Sequence, residues 1–146
     1  MKQYLIDTNL LLLKLRQDLR WETVYNNSNL NNTTNFMSVV TFGELHSLAL
    51  QNNWGNHKMD SLSILPQQFV ITDINIMSII RRYAEIDAFS RGKLQGRPLN
   101  MSSRTMGKND LWIAATASVM NLTLITTDFD FNHLHNQFID LELIIL

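Results

Sequence analysis

The chain has 146 residues, 45% hydrophobic and 17% charged, a composition that fits one ordinary globular domain and excludes disorder. Cysteine is absent, which removes disulfides and thiolate metal sites and agrees with a reducing compartment. The net charge of −1 is unevenly spread: between Arg81 and Lys108, seven basic side chains face only Glu85 and Asp87, so this segment carries +5 and the rest −6.

A first strand over residues 3–6, "QYLI", stops at Asp7, after which an apolar pattern resumes as a helix. Lys2 and the leucines that follow have the outline of a leader. However, Asp7, Thr8, Asn9 and Lys14 interrupt its apolar segment, and no run approaches membrane-spanning length. The expectation is a soluble, cytoplasmic protein that does not engage a membrane. A second helix from about Asp18 frays into the asparagine-rich stretch 25–35. Next come a strand over 36–39 and a helix over 39–53 that carries Glu44. Val40 stands four residues before Glu44 and Leu48 four after, which puts the carboxylate in an apolar stripe. A buried glutamate needs a cation, a hydrogen bond or a proton; a salt bridge to an arginine or lysine elsewhere would also satisfy it.

A helix over 56–65 and a strand over 69–72 precede a long helix over 73–90, which Gly92 is placed to stop. Residues 91–109 hold three glycines, one proline and five of the seven basic residues of the positive segment. A loop of that length in a compact domain is usually functional or mobile. The helix over 109–121 opens on Asp110, which the helix dipole alone would accommodate. Yet Ile113, Ala114 and Ala117 share its face and turn the carboxylate inward. A strand over 122–126 runs out just before Asp128 and Asp130, and a last strand spans 141–146. Strands that are short, apolar on both faces and alternate with helices predict a single domain, 1–146. Its fold class is α/β, a three-layer α/β/α sandwich around a central, mainly parallel five-stranded sheet. His46, His57, His133 and His135 read as surface residues, and Trp21, Trp54 and Trp112 as packing residues.

Asp7 and Asp128 each have an ordinary explanation as helix caps or turn residues. Together with Glu44 and Asp110 they make a different case. In open parallel sheets, ligands bind outside the carboxyl ends of the strands, and a doubly wound order brings all four acids toward that edge. At about 5 Å and an effective dielectric of about 20, each pair of carboxylates costs roughly 3 kcal/mol. A divalent cation with all-oxygen ligands relieves that repulsion.

The segments "LIDTNLLL", "SVVTFGEL", "NDLWIAATA" and "LITTDFDF" occur in the order found in PIN-domain ribonucleases. Across nearly its whole length the chain resembles the VapC-type toxins of toxin–antitoxin pairs most closely. Position by position, the resemblance implies Asp7, Glu44, Asp110 and Asp128 as the catalytic and metal-binding quartet, with Asp130 as an outer contributor. Thr8, Asn9 and Thr127 would orient ligands or bound water, or simply form turns. The resemblance further implies Mg²⁺ or Mn²⁺, metal-dependent endoribonuclease activity leaving 3′-hydroxyl and 5′-phosphate ends, a homodimer and a cognate antitoxin. Residues 91–109 form a longer, more basic connection than the family usually has, and Arg91, Lys93, Arg97, Arg104 and Lys108 are candidate contacts for the RNA backbone. A non-catalytic PIN-like RNA-binding or scaffold protein is the main alternative, although it has little reason to tolerate four repelling acids. A haloacid-dehalogenase-like phosphatase needs a second aspartate two residues after Asp7, where Asn9 stands.

Overall fold

The structure, a computed structural model, describes residues 2–146. Five strands form one sheet in the order β3-β2-β1-β4-β5, every neighbouring pair parallel. They are β1 (Tyr4–Ile6), β2 (Asn35–Ser38), β3 (Val70–Thr72), β4 (Thr123–Thr126) and β5 (Asp140–Leu143). The central strand β1 and its neighbour β4 are buried throughout, whereas the edge strands β3 and β5 are partly exposed. Side chains alternate across the sheet, as strand geometry requires. Tyr4, Ile6, Met37 and Ile125 enter one core; Leu5 and Leu124 enter the other.

Helices α1 (Thr8–Leu15), α2 (Leu19–Asn27), α3 (Val39–Gln51), α4 (Asn56–Ser63) and α5 (Leu65–Gln68) supply the first core, through Leu10, Leu11, Trp21, Leu45, Leu62 and Leu65. The second core takes Ile79, Ile86 and Phe89 from α6 (Met77–Ser90) and Leu111, Ile113 and Ala114 from α7 (Lys108–Met120). Together they make three layers.

Several boundaries differ from the sequence reading, each for a local reason. Val39 begins α3 instead of ending a strand, because the Ser38 hydroxyl caps the helix by accepting from Val40 N–H. The long helix starts at Met77 and not at residue 73. Asp73 folds its carboxylate over the Ile74 and Asn75 amides, a local turn that competes with helix. The helix expected over 56–65 ends at Ser63, and Pro66 restarts the chain as a short second helix. Helix α2, by contrast, frays into the asparagine-rich stretch as expected, running to Asn27, and a 3₁₀ turn at Leu30–Asn32 follows.

From β1 the chain builds outward through β2 and β3, then crosses to the other side for β4 and β5. The direction of winding reverses between β1 and β4, and the crevice of such a sheet lies there. Asp7 directly follows β1, and Asp128 stands two residues past β4.

Candidate functional site

Asp7 is 3% exposed and caps α1, its Oδ1 accepting from Thr8 N–H at 2.8 Å. The Thr126 hydroxyl donates to its Oδ2 at 2.6 Å. Burial holds the Asp7 pKa at about 6, even though both hydrogen bonds pull it down; Asp128 and Glu44 add to the rise. The same Thr126 oxygen accepts from Asp128 N–H at 3.0 Å. In turn, Asp128 Oδ1 accepts from Asp130 N–H at 2.9 Å and caps the 3₁₀ helix Phe129–Leu134. One threonine at the end of β4 therefore fixes two acids. Thr126 is a position the sequence reading missed in favour of its neighbour Thr127. Its only signal was its place as the last residue of an apolar strand.

Glu44 reaches the site from α3. Its Oε1 accepts from the Thr8 hydroxyl at 2.8 Å, and that hydroxyl shares a 3.0 Å hydrogen bond with Thr41. Glu44 is half-buried, so the stripe it forms with Val40 and Leu48 does not enter the core; Thr41, Leu45 and Ala49 do. The stripe instead borders an open groove of roughly 640 Å³, lined also by Gly43, Ser47, Gln51, Ile74, Asn109 and Trp112.

Asp110 opens α7 from a half-buried position, and its pKa is pushed up to about 7, first by burial and then by the charges of Asp7, Asp128, Glu44 and Asp130. Asp110, Asp128 and Asp130 each present one carboxylate oxygen such that the three lie within 4.8 Å of one another. Asp130 is thus a full member of the tightest group, while Asp7 and Glu44 flank it, already engaged by Thr126 and Thr8. No ion pair involves any of the five acids among the described residues; the ion pairs are Lys2–Asp140, Arg20–Asp18, Arg82–Glu85 and Arg91–Asp87. A cluster made of acceptors, uncompensated by arginine or lysine, has the donor chemistry that suits Mg²⁺ or Mn²⁺.

The candidate basic residues are engaged in different ways. Arg91 is committed to Asp87 at 2.9 Å. Arg97 donates to the Gln137 carbonyl at 2.7 Å and stacks over Phe138 at 4.0 Å. Arg104 is half-buried, while Lys93 and Lys108 are exposed. Asn9 is exposed, and neither it nor Thr127 makes a side-chain hydrogen bond among the described residues. His133 departs from the expected surface position. It is 6% exposed, with Nε2 2.7 Å from the Ser90 hydroxyl and its ring stacked on Phe89. Burial, with Arg104 nearby, lowers its pKa to about 4. The other three histidines are exposed. Trp21 packs in the first core, while Trp112 is half-buried and borders the groove.

The family model of the PIN domain matches residues 4–136. Among solved structures, the chain is similar to VapBC2 from Rickettsia felis bound to a DNA fragment from their promoter, at 22% identity and a TM-score of 0.75, over 98% of this chain and 99% of that one. It is similar to VapBC-1 from nontypeable Haemophilus influenzae at 24% identity and a TM-score of 0.70, covering 97% of both chains. VapBC-5 from Mycobacterium tuberculosis, of the VapBC family of toxin–antitoxin systems, matches at 22% identity and a TM-score of 0.59 over the full length of both. No curated protein sequence matches the chain significantly. No helix among the described residues is long and apolar enough to cross a membrane.

Proposed function

Since the chain belongs to the PIN-domain family, we propose that it is a metal-dependent endoribonuclease, the toxin of a toxin–antitoxin pair. The observation that carries this reading is the meeting, at the β1/β4 switch point, of five carboxylates without a basic partner among the described residues, two of them with raised pKa values. Asp110, Asp128 and Asp130 would hold the cation, with Asp7 and Glu44 completing its negative surroundings. A bound Mg²⁺ or Mn²⁺ supplies charge neutralisation at the attacked phosphate and a more acidic water. The protein's own part is positional. Thr126 ties Asp7 to the backbone of Asp128, and Thr8 ties the capping turn of α1 to Glu44. Of the candidate basic residues, Lys93 and Lys108 are exposed and without an ion-pair partner among the described residues, free to meet the RNA backbone, which predicts binding that weakens as salt rises.

The partner follows from the same reading: the similar structures are VapBC proteins, which favours a cognate antitoxin, and the resemblance to VapC-type toxins adds a homodimer to the proposal. Incubation of the purified protein with RNA and Mn²⁺ tests the core of the proposal. Cleavage should require the metal, stop with EDTA and fall at least 100-fold in Asp110→Asn, while calorimetry shows Mn²⁺ binding lost in step. Cleavage that survives EDTA overturns the reading, and metal binding without cleavage leaves a non-catalytic RNA-binding protein.

A further inference from the structure

The groove beside the acids has a composition that the cation site does not require. Glu44, whose charge acts on Asp110, and Asn109, the residue before Asp110, both line this groove, so it lies beside the acidic cluster. Its walls are apolar at Val40, Leu48 and Ile74, polar at Ser47, Gln51 and Asn109, and aromatic at Trp112; no lysine or arginine lines it. Such a surface does not suit a phosphate. It does suit a nucleobase, which offers an apolar face and a hydrogen-bonding edge.

Trp112 is prepared for that role. Tyr83 backs its indole at 4.3 Å between centroids with the rings tilted by 39°, while the ring remains half-buried and borders the groove. An aromatic platform already held by a neighbour loses little freedom when a base stacks on it. The edge-reading groups are available too. Gln51 donates to the Ser47 hydroxyl at 2.9 Å, leaving the Gln51 carbonyl as an acceptor and the Ser47 proton as a donor, and Asn109 has no side-chain partner among the described residues. At roughly 640 Å³ the groove is within the size range of ligand clefts. Gly43 adds open space next to Glu44, since a Cβ there would meet nothing within 4 Å.

We infer that this groove takes one unpaired base of the RNA substrate, stacked on Trp112, next to the phosphate that is cut. The inference rests on the nuclease reading above and narrows it. A base inside a duplex has both faces covered and its edge paired, so the groove selects single-stranded RNA.

The test uses a short unstructured fluorescein-labelled RNA and the same RNA annealed to its complement. Trp112→Ala should raise KM for the single strand about 10- to 100-fold, the range expected from losing one stacked base. Trp112→Phe should stay within a few-fold of wild type, and Mn²⁺ affinity measured by calorimetry should be equal in all three proteins. In a Trp21→Phe, Trp54→Phe background, the single strand should quench Trp112 fluorescence and the duplex should not. If wild type cuts the single strand but Trp112→Ala matches it in KM, or bound RNA leaves the fluorescence unchanged, the base site is overturned while the nuclease reading stands. If sedimentation shows that Trp112→Ala converts a dimer to a monomer, the groove is occupied by a second copy and the inference fails. If wild type neither binds Mn²⁺ nor cuts either RNA, it is the underlying reading that has failed.

Discussion

At the end of β4, one hydroxyl serves two acids: Thr126 donates to Asp7 Oδ2 at 2.6 Å and accepts from Asp128 N–H at 3.0 Å. Thr126→Val keeps the shape and removes both bonds. Mn²⁺ affinity should fall about 10- to 100-fold, the usual consequence of losing a residue that orients a ligand. Stability at neutral pH should drop by about 1–3 kcal/mol, because a buried carboxylate and an amide each lose a partner. Thr126→Ser should recover most of both, as read by calorimetry and urea titration; a Val variant indistinguishable from wild type would remove Thr126 from the site. At this scale the sequence was only partly legible. The acids announced themselves by ending strands or joining an apolar stripe. Thr126 did not, because a threonine at the end of a buried strand is ordinary and its hydroxyl partner lies 119 residues away. His133 was misread for the same reason, since nothing local shows that Ser90 will reach its ring.

Among the elements, the connection between α6 and α7 behaves least like a free loop. Lys93 N–H bonds to Ala88 O at 2.8 Å and Arg104 N–H to Ser90 O at 2.8 Å, while Leu94, Leu99 and Met106 join the second core. Gly92 and Gly96 take positive φ values of 72° and 79°, which make the two sharp turns possible. Arg97 pins the segment against Phe138 and the Gln137 carbonyl. Arg97→Ala should therefore loosen it, exposing 91–107 to proteolysis and costing about 1–2 kcal/mol in urea denaturation. Replacing Lys93 and Lys108 with glutamine should instead leave stability intact and flatten the salt dependence of RNA binding by about one unit per residue. The sequence marked the length and charge of this segment correctly. It could not distinguish arginines that hold the protein together from lysines left to solvent, because that difference is set by contacts with residues 87, 137 and 138.

For the molecule as a whole, the acids couple stability to pH. Folded Asp7 at about 6 and folded Asp110 at about 7 both lie above the ordinary aspartate value of 3.8. Raised carboxyl values mean that the native state holds protons the unfolded chain has already lost. These two groups therefore cost stability progressively as pH rises from about 4 through 7, and the full penalty remains above that. Thermal unfolding of metal-free protein should show a midpoint several degrees lower at pH 8 than at pH 5.5. Excess Mn²⁺ should close most of that gap at pH 8 and have little effect at pH 5.5, where protons compete for the same oxygens. A midpoint that climbs between pH 5.5 and 8 without metal would show that these carboxylates are not destabilising. The fold itself was the most legible level. Apolar runs alternating with amphipathic helices leave few arrangements other than a covered parallel sheet, whereas strand order is invisible until the crossovers are seen.

That order has a consequence for how the protein is made. The strand bearing Thr126 and leading to Asp128 docks beside β1, although nearly the whole chain is synthesised between them. A nascent polypeptide still attached to the ribosome presents Asp7 and Glu44 with no α7 or β4 to answer them. The acidic site therefore cannot close until the last fifth of the chain, which carries β4, Asp128 and Asp130, has been made.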